Sequence, residues 1–81
     1  MDAHKLVKMV NEIASFFEAE PDRNAVLESV AGHLKRFWDP RMRREIVRWV
    51  DENGGEGLKE TALLAIRTHR DKLVPQEDAR K

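Results

Sequence analysis

The stretch FWDPRMRREIVRWV, residues 37–50, decides the fold because it predicts where one helix stops and the next begins. Proline is favoured in the first turn of a helix, and an aspartate just before it accepts hydrogen bonds from the free amides there. The Asp39-Pro40 step therefore predicts a helix start. After the step, apolar residues recur every three or four positions, as on one face of an amphipathic helix. That inner face is predicted to consist of Met42, Ile46, Trp49 and Val50.

Two amphipathic segments precede this stretch. Both show apolar residues at helical spacings. The first is expected to stop at Glu20-Pro21, because a proline disfavours helical geometry in the residue before it. Asp22 is the predicted N-cap of the second. The inner face of the first helix is predicted at Leu6, Val10, Ile13 and Phe17. The inner face of the second is predicted at Val26, Leu27, Val30, Ala31, Leu34 and Phe37.

A fourth helical segment follows the stretch. Asn53-Gly54-Gly55 is expected to end the third helix, because these residues tolerate the left-handed conformation that closes one. Apolar periodicity then resumes over residues 58–73, and no segment alternates with the period of two that strands show. The sequence therefore predicts an all-α fold, a small bundle of four short helices. Residues 1–74 form the predicted domain, and residues 75–81 a disordered C-terminal tail.

Composition narrows the class of protein. The chain has 81 residues, no cysteine and no net charge. Without cysteine it has neither disulfides nor thiolate metal ligands. No apolar run approaches the roughly 20 residues of a transmembrane helix, and the N-terminus does not resemble a secretory signal. These features predict a cytoplasmic protein that does not enter a membrane.

The histidines and glycines do not form a recognisable reactive site. His4, His33 and His69 fall in three different segments without metal-ligand spacing. Ser29 lies four residues before His33, but nothing in the sequence marks the acid or the oxyanion site of a hydrolytic triad. The glycine-rich turn at residues 54–57 lacks the strand and the lysine of a phosphate loop. We therefore expect no catalytic residue, no bound cofactor and no metal site in this chain.

Positive charge is concentrated at one joint, by which we mean the place where the predicted second helix meets the third. Residues 35–48 carry six basic and two acidic side chains, whereas residues 1–34 and 49–66 are both net acidic. A solvated helix face is one interpretation. Nucleic-acid binding is disfavoured, because the flanking acidic segments would repel a polyanion. The third interpretation is that this region docks onto a larger protein, since arginines beside large aromatics are typical of interface hot spots.

The docking interpretation predicts a specific set of partner-binding residues. They are Arg36, Trp38, Arg41, Arg43, Arg44 and Arg48. Each has an alternative role. Trp38 could instead belong to the core of this chain, tying the second helix to the third. The arginines could instead pair with nearby acids such as Glu45 and Asp51. A bundle this small could also leave an apolar patch uncovered for a partner.

Several short motifs resemble those of one family, the delta subunits of soluble, NAD-dependent, molybdenum-containing formate dehydrogenases. The resemblance covers about residues 6–66. The first part of the motif consists of Met9, Asn11, Ile13, Phe16, Phe17, Pro21, Asp22 and Arg23. Its core consists of His33, Leu34, Phe37, Trp38, Pro40, Arg41, Met42 and Arg43.

The resemblance implies a non-catalytic accessory subunit that assists the assembly or stability of the large catalytic subunit. In such complexes other subunits hold the molybdenum (or tungsten) pterin, the iron–sulfur clusters and the flavin, and together oxidise formate while reducing NAD. Two alternatives remain open: a transient chaperone for cofactor insertion, whose arginines could hold pterin phosphates, and a stand-alone helical interaction module. Neither the oligomeric state of the isolated chain nor the role of residues 67–81 follows from the sequence.

Overall fold

A computed structural model describes residues 2–74, which contain five helices and no strand. The helices are α1 (Ala3–Phe17), α2 (Arg23–Phe37), α3 (Pro40–Asn53), α4 (Glu60–Thr68) and α5 (Arg70–Leu73). The predicted all-α class is confirmed, and the predicted bundle of four is approximate because a fifth, single-turn helix follows α4. The predicted tail, residues 75–81, lies outside the described residues, and the domain boundary at residue 74 stays a prediction.

The predicted helix caps are confirmed. The Asp22 carboxylate accepts from the backbone amides of Asn24 and Ala25 at 3.0 and 3.4 Å. The Asp39 carboxylate accepts from the amide of Met42 at 2.9 Å, with Pro40 in the first turn of α3. Each cap supplies acceptors to amides that have no partner inside the helix. Gly54 ends α3 in the left-handed conformation, with φ of 66°.

The core lies between α2 and the helices around it, because α2 packs against α1, α4 and α5. Its largest fully buried side chains are Val10, Val30, Leu34, Ile46, Ile66 and Leu73. Five of the six residues predicted for the inner face of α2 are buried, but Phe37 is 66% exposed. On α3 the core positions are Ile46, Val47 and Val50, whereas Trp49 is half-buried.

The loop between α3 and α4 is held by hydrogen bonds to other elements. The Asn11 side chain donates to the carbonyl of Gly57 and accepts from the amide of Lys59, both at 2.9 Å. The Trp49 indole donates to the carbonyl of Glu56 at 2.8 Å. These bonds keep Lys59 in an extended conformation, so α4 begins at Glu60 rather than at Leu58.

The last predicted helix is divided at His69. Its backbone leaves helical geometry, ending α4 and starting α5. After the break, Leu73 is buried in the core and Arg70 faces α3. The Arg70 guanidinium donates two hydrogen bonds to the Asp51 carboxylate, at 2.6 and 2.7 Å. This bidentate pair fixes the short helix against α3.

Candidate functional site

The joint between α2 and α3 is built around Trp38. Its indole is only 5% exposed, and its backbone amide donates to the carbonyl of Leu34 at 3.0 Å. Trp38 therefore belongs to the core of this chain, which was the alternative interpretation. Its predicted role in contacting a partner stays a prediction, for which the side chain offers only this small exposed fraction.

Arg43 also links α2 to α3 at the joint. Its Nη1 donates to the backbone carbonyl of Lys35 at 2.7 Å, across the turn from α3 to the last turn of α2. Its Nε is buried and has no hydrogen-bond partner within residues 2–74. Since one side of its guanidinium is committed to α2, Arg43 acts as a brace between the two helices and is only half-exposed.

The other four predicted arginines are exposed. Arg48 pairs with Glu45 at 3.1 Å on its own helix. By contrast, none of the five ion pairs within residues 2–74 includes Arg36, Arg41 or Arg44. Three cations without an internal carboxylate are available to an external one. The predicted pairing of the arginines with Glu45 is thus found at Arg48 alone, and Asp51 pairs with Arg70 instead.

The arginine face, as we name it, is a shallow groove of about 420 Å³ along α3. It brings Arg41, Arg44 and Arg48 together, as their spacing of three and four predicts, and adds Arg70 from α5. Its lining is completed by Glu45, Val47, Asp51 and Val74. The hydrogen bond from Arg70 lowers the pKa of the Asp51 carboxyl, and the same bond raises the pKa of Arg70. Because the Asp51 carboxylate is engaged by Arg70, Arg41 and Arg44 are the donors of the groove that have no ion-pair partner within residues 2–74.

A second groove, of about 630 Å³, is formed by α1, α2 and the start of α3 and is mostly apolar. Every large hydrophobic side chain that is exposed within residues 2–74 lines it: Phe16 at 77%, Phe37 at 66% and Met9 at 39%. We call it the aromatic groove. It is lined by Met9, Glu12, Ile13, Phe16, Phe17, His33, Phe37, Trp38 and Met42.

Ring contacts order the walls of the aromatic groove. Phe16 and Phe17 meet edge to face, with centroids 5.1 Å apart. The imidazole of His33 lies between Phe17 and Phe37, at 6.3 and 4.7 Å. Aromatic pairs in this range are mutually stabilising, so these contacts support the walls of the groove. Beside it, a smaller depression of about 290 Å³ adds Ser29, Gly32 and Arg36 to the same wall.

Sequence reasoning missed Phe16 and Phe37 as surface residues, although a signal was present. Adjacent residues on a helix point about 100° apart, so two large neighbouring aromatics are harder to bury in one core than two that lie three or four positions apart. In the pair Phe16-Phe17 the second is half-buried and the first is exposed. In the pair Phe37-Trp38 the tryptophan is buried and the phenylalanine is exposed. In each pair of neighbouring aromatics, one side chain is therefore left exposed.

Two negative findings concern the described residues. Within residues 2–74, no three or more histidine, aspartate or glutamate side chains come together as metal ligands would. In the same range no helix has both the length and the apolar character that crossing a bilayer requires.

One protein-family model, described as "NADH-dependant formate dehydrogenase delta subunit FdsD", matches residues 5–66. No curated protein and no solved structure matches the chain. The matched range contains the joint at Trp38, the braces formed by Asn11 and Arg43, and every residue that lines the aromatic groove.

Proposed function

The chain belongs to the family of NADH-dependent formate dehydrogenase delta subunits, and from this premise we propose that it is a non-catalytic accessory subunit of such a complex. Its role is to assist the assembly or stability of the catalytic large subunit in the cytoplasm. The molybdenum pterin, the iron–sulfur clusters and the flavin are then held by the partner subunits. The expected partners are proteins, and neither a nucleic acid nor a membrane is among them.

The observation that carries this proposal is the arginine face. Arg41 and Arg44 are exposed, lie one turn apart on α3, and have no carboxylate partner within residues 2–74. Arginine presents a rigid fork of donors suited to carboxylates, and it stays charged when an interface buries it. Arg36 lies on α2, across the joint, and likewise belongs to no ion pair within residues 2–74. An acidic surface on a larger subunit would satisfy all three.

Trp38 and Arg43 take a positioning role in this proposal. Because they fix the angle between α2 and α3, they hold Arg36 in a constant relation to Arg41 and Arg44. Arg48 contributes at the edge of the interface, where its pair with Glu45 is exchangeable, since exposed ion pairs are worth at most about 1 kcal/mol. The predicted docking set is thereby divided into contacting and supporting residues.

The test is the composition of the mature enzyme. The catalytic subunit is purified in active form by an affinity tag, and the amount of this chain bound to it is measured by quantitative mass spectrometry. A permanent accessory subunit is expected at one copy per catalytic subunit, and the chain purified alone is expected to reduce no NAD with formate. A transient chaperone would instead be found on the immature, cofactor-free subunit and be absent from the active enzyme.

A further inference from the structure

The aromatic groove is a second surface that the arginine face does not explain. Phe16 and Phe37 place two largely exposed phenyl rings in this one groove. Apolar side chains scattered singly on a surface are ordinary, but a contiguous patch rimmed by polar groups marks a site of interaction. Here the exposed rings share one groove with Met9 and Met42, whose flexible side chains adapt to an occupant.

Gly32 supplies an independent observation. It lies inside α2, where glycine is about 1 kcal/mol less favourable than alanine. A Cβ built on Gly32 would meet nothing within 4 Å, so the packing of this chain does not require a glycine there. Gly32 lines the depression beside the aromatic groove, next to His33 and Phe37. A glycine at this point permits the backbone of an occupant to approach α2 closely.

The charges at the rim indicate how an occupant is oriented. Glu12 lines the groove on α1, and Arg36 lines the depression on α2. Within residues 2–74 neither side chain belongs to an ion pair. An occupant with a basic side chain near Glu12 and an acidic one near Arg36 would complement both.

We propose that the aromatic groove binds an amphipathic helix from another subunit of the formate dehydrogenase complex, with its apolar face on Phe16 and Phe37. This inference rests on the proposed function. A helix fits because the groove lies between helices, and the described part of the chain has no strand edge for an extended peptide to join. A second copy of this chain could enter only by placing its own aromatic groove against this one, because residues 2–74 expose no large apolar side chain elsewhere, and the crosslink described below distinguishes that arrangement.

The test is photo-crosslinking in the assembled complex. The photoreactive residue benzoylphenylalanine replaces Phe37, and in a matched control it replaces Thr68, an exposed position on α4 that lies outside the groove. After irradiation, the linked peptide is identified by mass spectrometry. The expected product joins position 37 to a segment of another subunit with apolar residues spaced three and four apart. A link only to a second copy, a link to a segment without that spacing, or a yield no higher than at position 68 would each overturn the inference.

A steric series gives a second readout. Gly32→Ala and Gly32→Trp add increasing volume to the wall of the depression while leaving the core untouched, because the position is open. The amount of chain that co-purifies with the complex is expected to fall in the order Gly, Ala, Trp, with at least a tenfold loss for Trp. Equal amounts would contradict the groove. If those equal amounts correspond to one copy per catalytic subunit, the accessory-subunit proposal stays intact. Absence of the wild-type chain from the complex would instead refute the proposed function itself.

Discussion

Arg43 on α3 donates a 2.7 Å hydrogen bond from Nη1 to the backbone carbonyl of Lys35 on α2, eight residues earlier in the chain. The last carbonyls of a helix accept no hydrogen bond from within the helix. A cation placed there can donate to one of them and also interacts favourably with the helix dipole. One side chain thus closes the end of α2 and sets its angle to α3.

Replacing Arg43 with alanine is expected to lower the free energy of unfolding by about 1–2 kcal/mol, because the carbonyl of Lys35 loses a charged donor. Urea denaturation followed by tryptophan fluorescence measures the change. The matched control is Arg44→Ala, one position along the same helix and exposed, which is expected to change stability by less than about 0.5 kcal/mol. Equal effects of the two substitutions would show that Arg43 is no brace.

Asn11 gives a second prediction about stability. Asn11→Ala removes both hydrogen bonds to the loop between α3 and α4, whereas Asn11→Asp keeps the acceptor for the amide of Lys59 and loses the donor to Gly57. We expect the alanine variant to lose about 1–3 kcal/mol. The aspartate variant is expected to be destabilised too, because a carboxylate oxygen then faces the carbonyl of Gly57, but it still accepts from the amide of Lys59. Hydrogen exchange at that amide is therefore expected to be slower in the aspartate variant than in the alanine variant, and the reverse order would contradict the assignment.

Two glycines are expected to respond in opposite directions to alanine. Gly55 has φ of 74°, and a Cβ there would lie 2.6 Å from Cδ1 of Leu63, so Gly55→Ala should destabilise the chain by about 1–2 kcal/mol or more. Gly32 is helical and open, so Gly32→Ala should stabilise the isolated chain by up to about 1 kcal/mol. Thermal unfolding of the two variants measures both signs. A destabilised Gly32→Ala variant would mean that α2 needs the glycine for its own packing.

Acid is expected to weaken the attachment of α5 to α3. The hydrogen bond from Arg70 lowers the pKa of Asp51 in the folded chain, so the unfolded chain takes up a proton first as pH falls. The stability from this pair is therefore present above about pH 4, the ordinary pKa of an aspartate, and is lost as pH falls through the lowered value. The hydrogen bond from Lys59 lowers the pKa of Glu18 in the same direction. Arg70 stays protonated throughout this range.

The measurement is the free energy of unfolding of wild type and Asp51→Asn between pH 3 and pH 7. Since the pair is exposed, the substitution is expected to cost at most about 1 kcal/mol at neutral pH and to reduce the loss of stability on acidification. An unchanged pH dependence in the variant would show that the pair contributes nothing.

The sequence predicted the helices well because their determinants are local. Asp22, Asp39 and Gly54 act on the amides and carbonyls next to them, so the caps could be read without the tertiary structure. The apolar periodicity of α2 likewise identified its buried face up to Leu34. It failed at Phe37, where the helix ends and Trp38 takes the place in the core.

The division of roles within the predicted docking set could not be read from the sequence. Whether an arginine braces a helix end or faces solvent depends on where another segment lies, as for Arg43 and the carbonyl of Lys35. The break at His69 is of the same kind, because it accompanies contacts of Arg70 and Leu73 with distant residues. The positive character of the joint was predictable, and its geometry was not.

The most direct test of the docking account reverses the charge of the arginine face. Arg41→Glu with Arg44→Glu replaces two unpaired cations by anions, and Lys5→Glu with Lys8→Glu makes the same change in charge, at the same spacing, on exposed positions of α1. Circular dichroism of the isolated variants checks that both remain helical. Co-purification with the tagged catalytic subunit is then measured. We predict at least a tenfold loss for the arginine pair and retention of the lysine pair. Undiminished co-purification of a folded Arg41→Glu, Arg44→Glu variant would contradict the account.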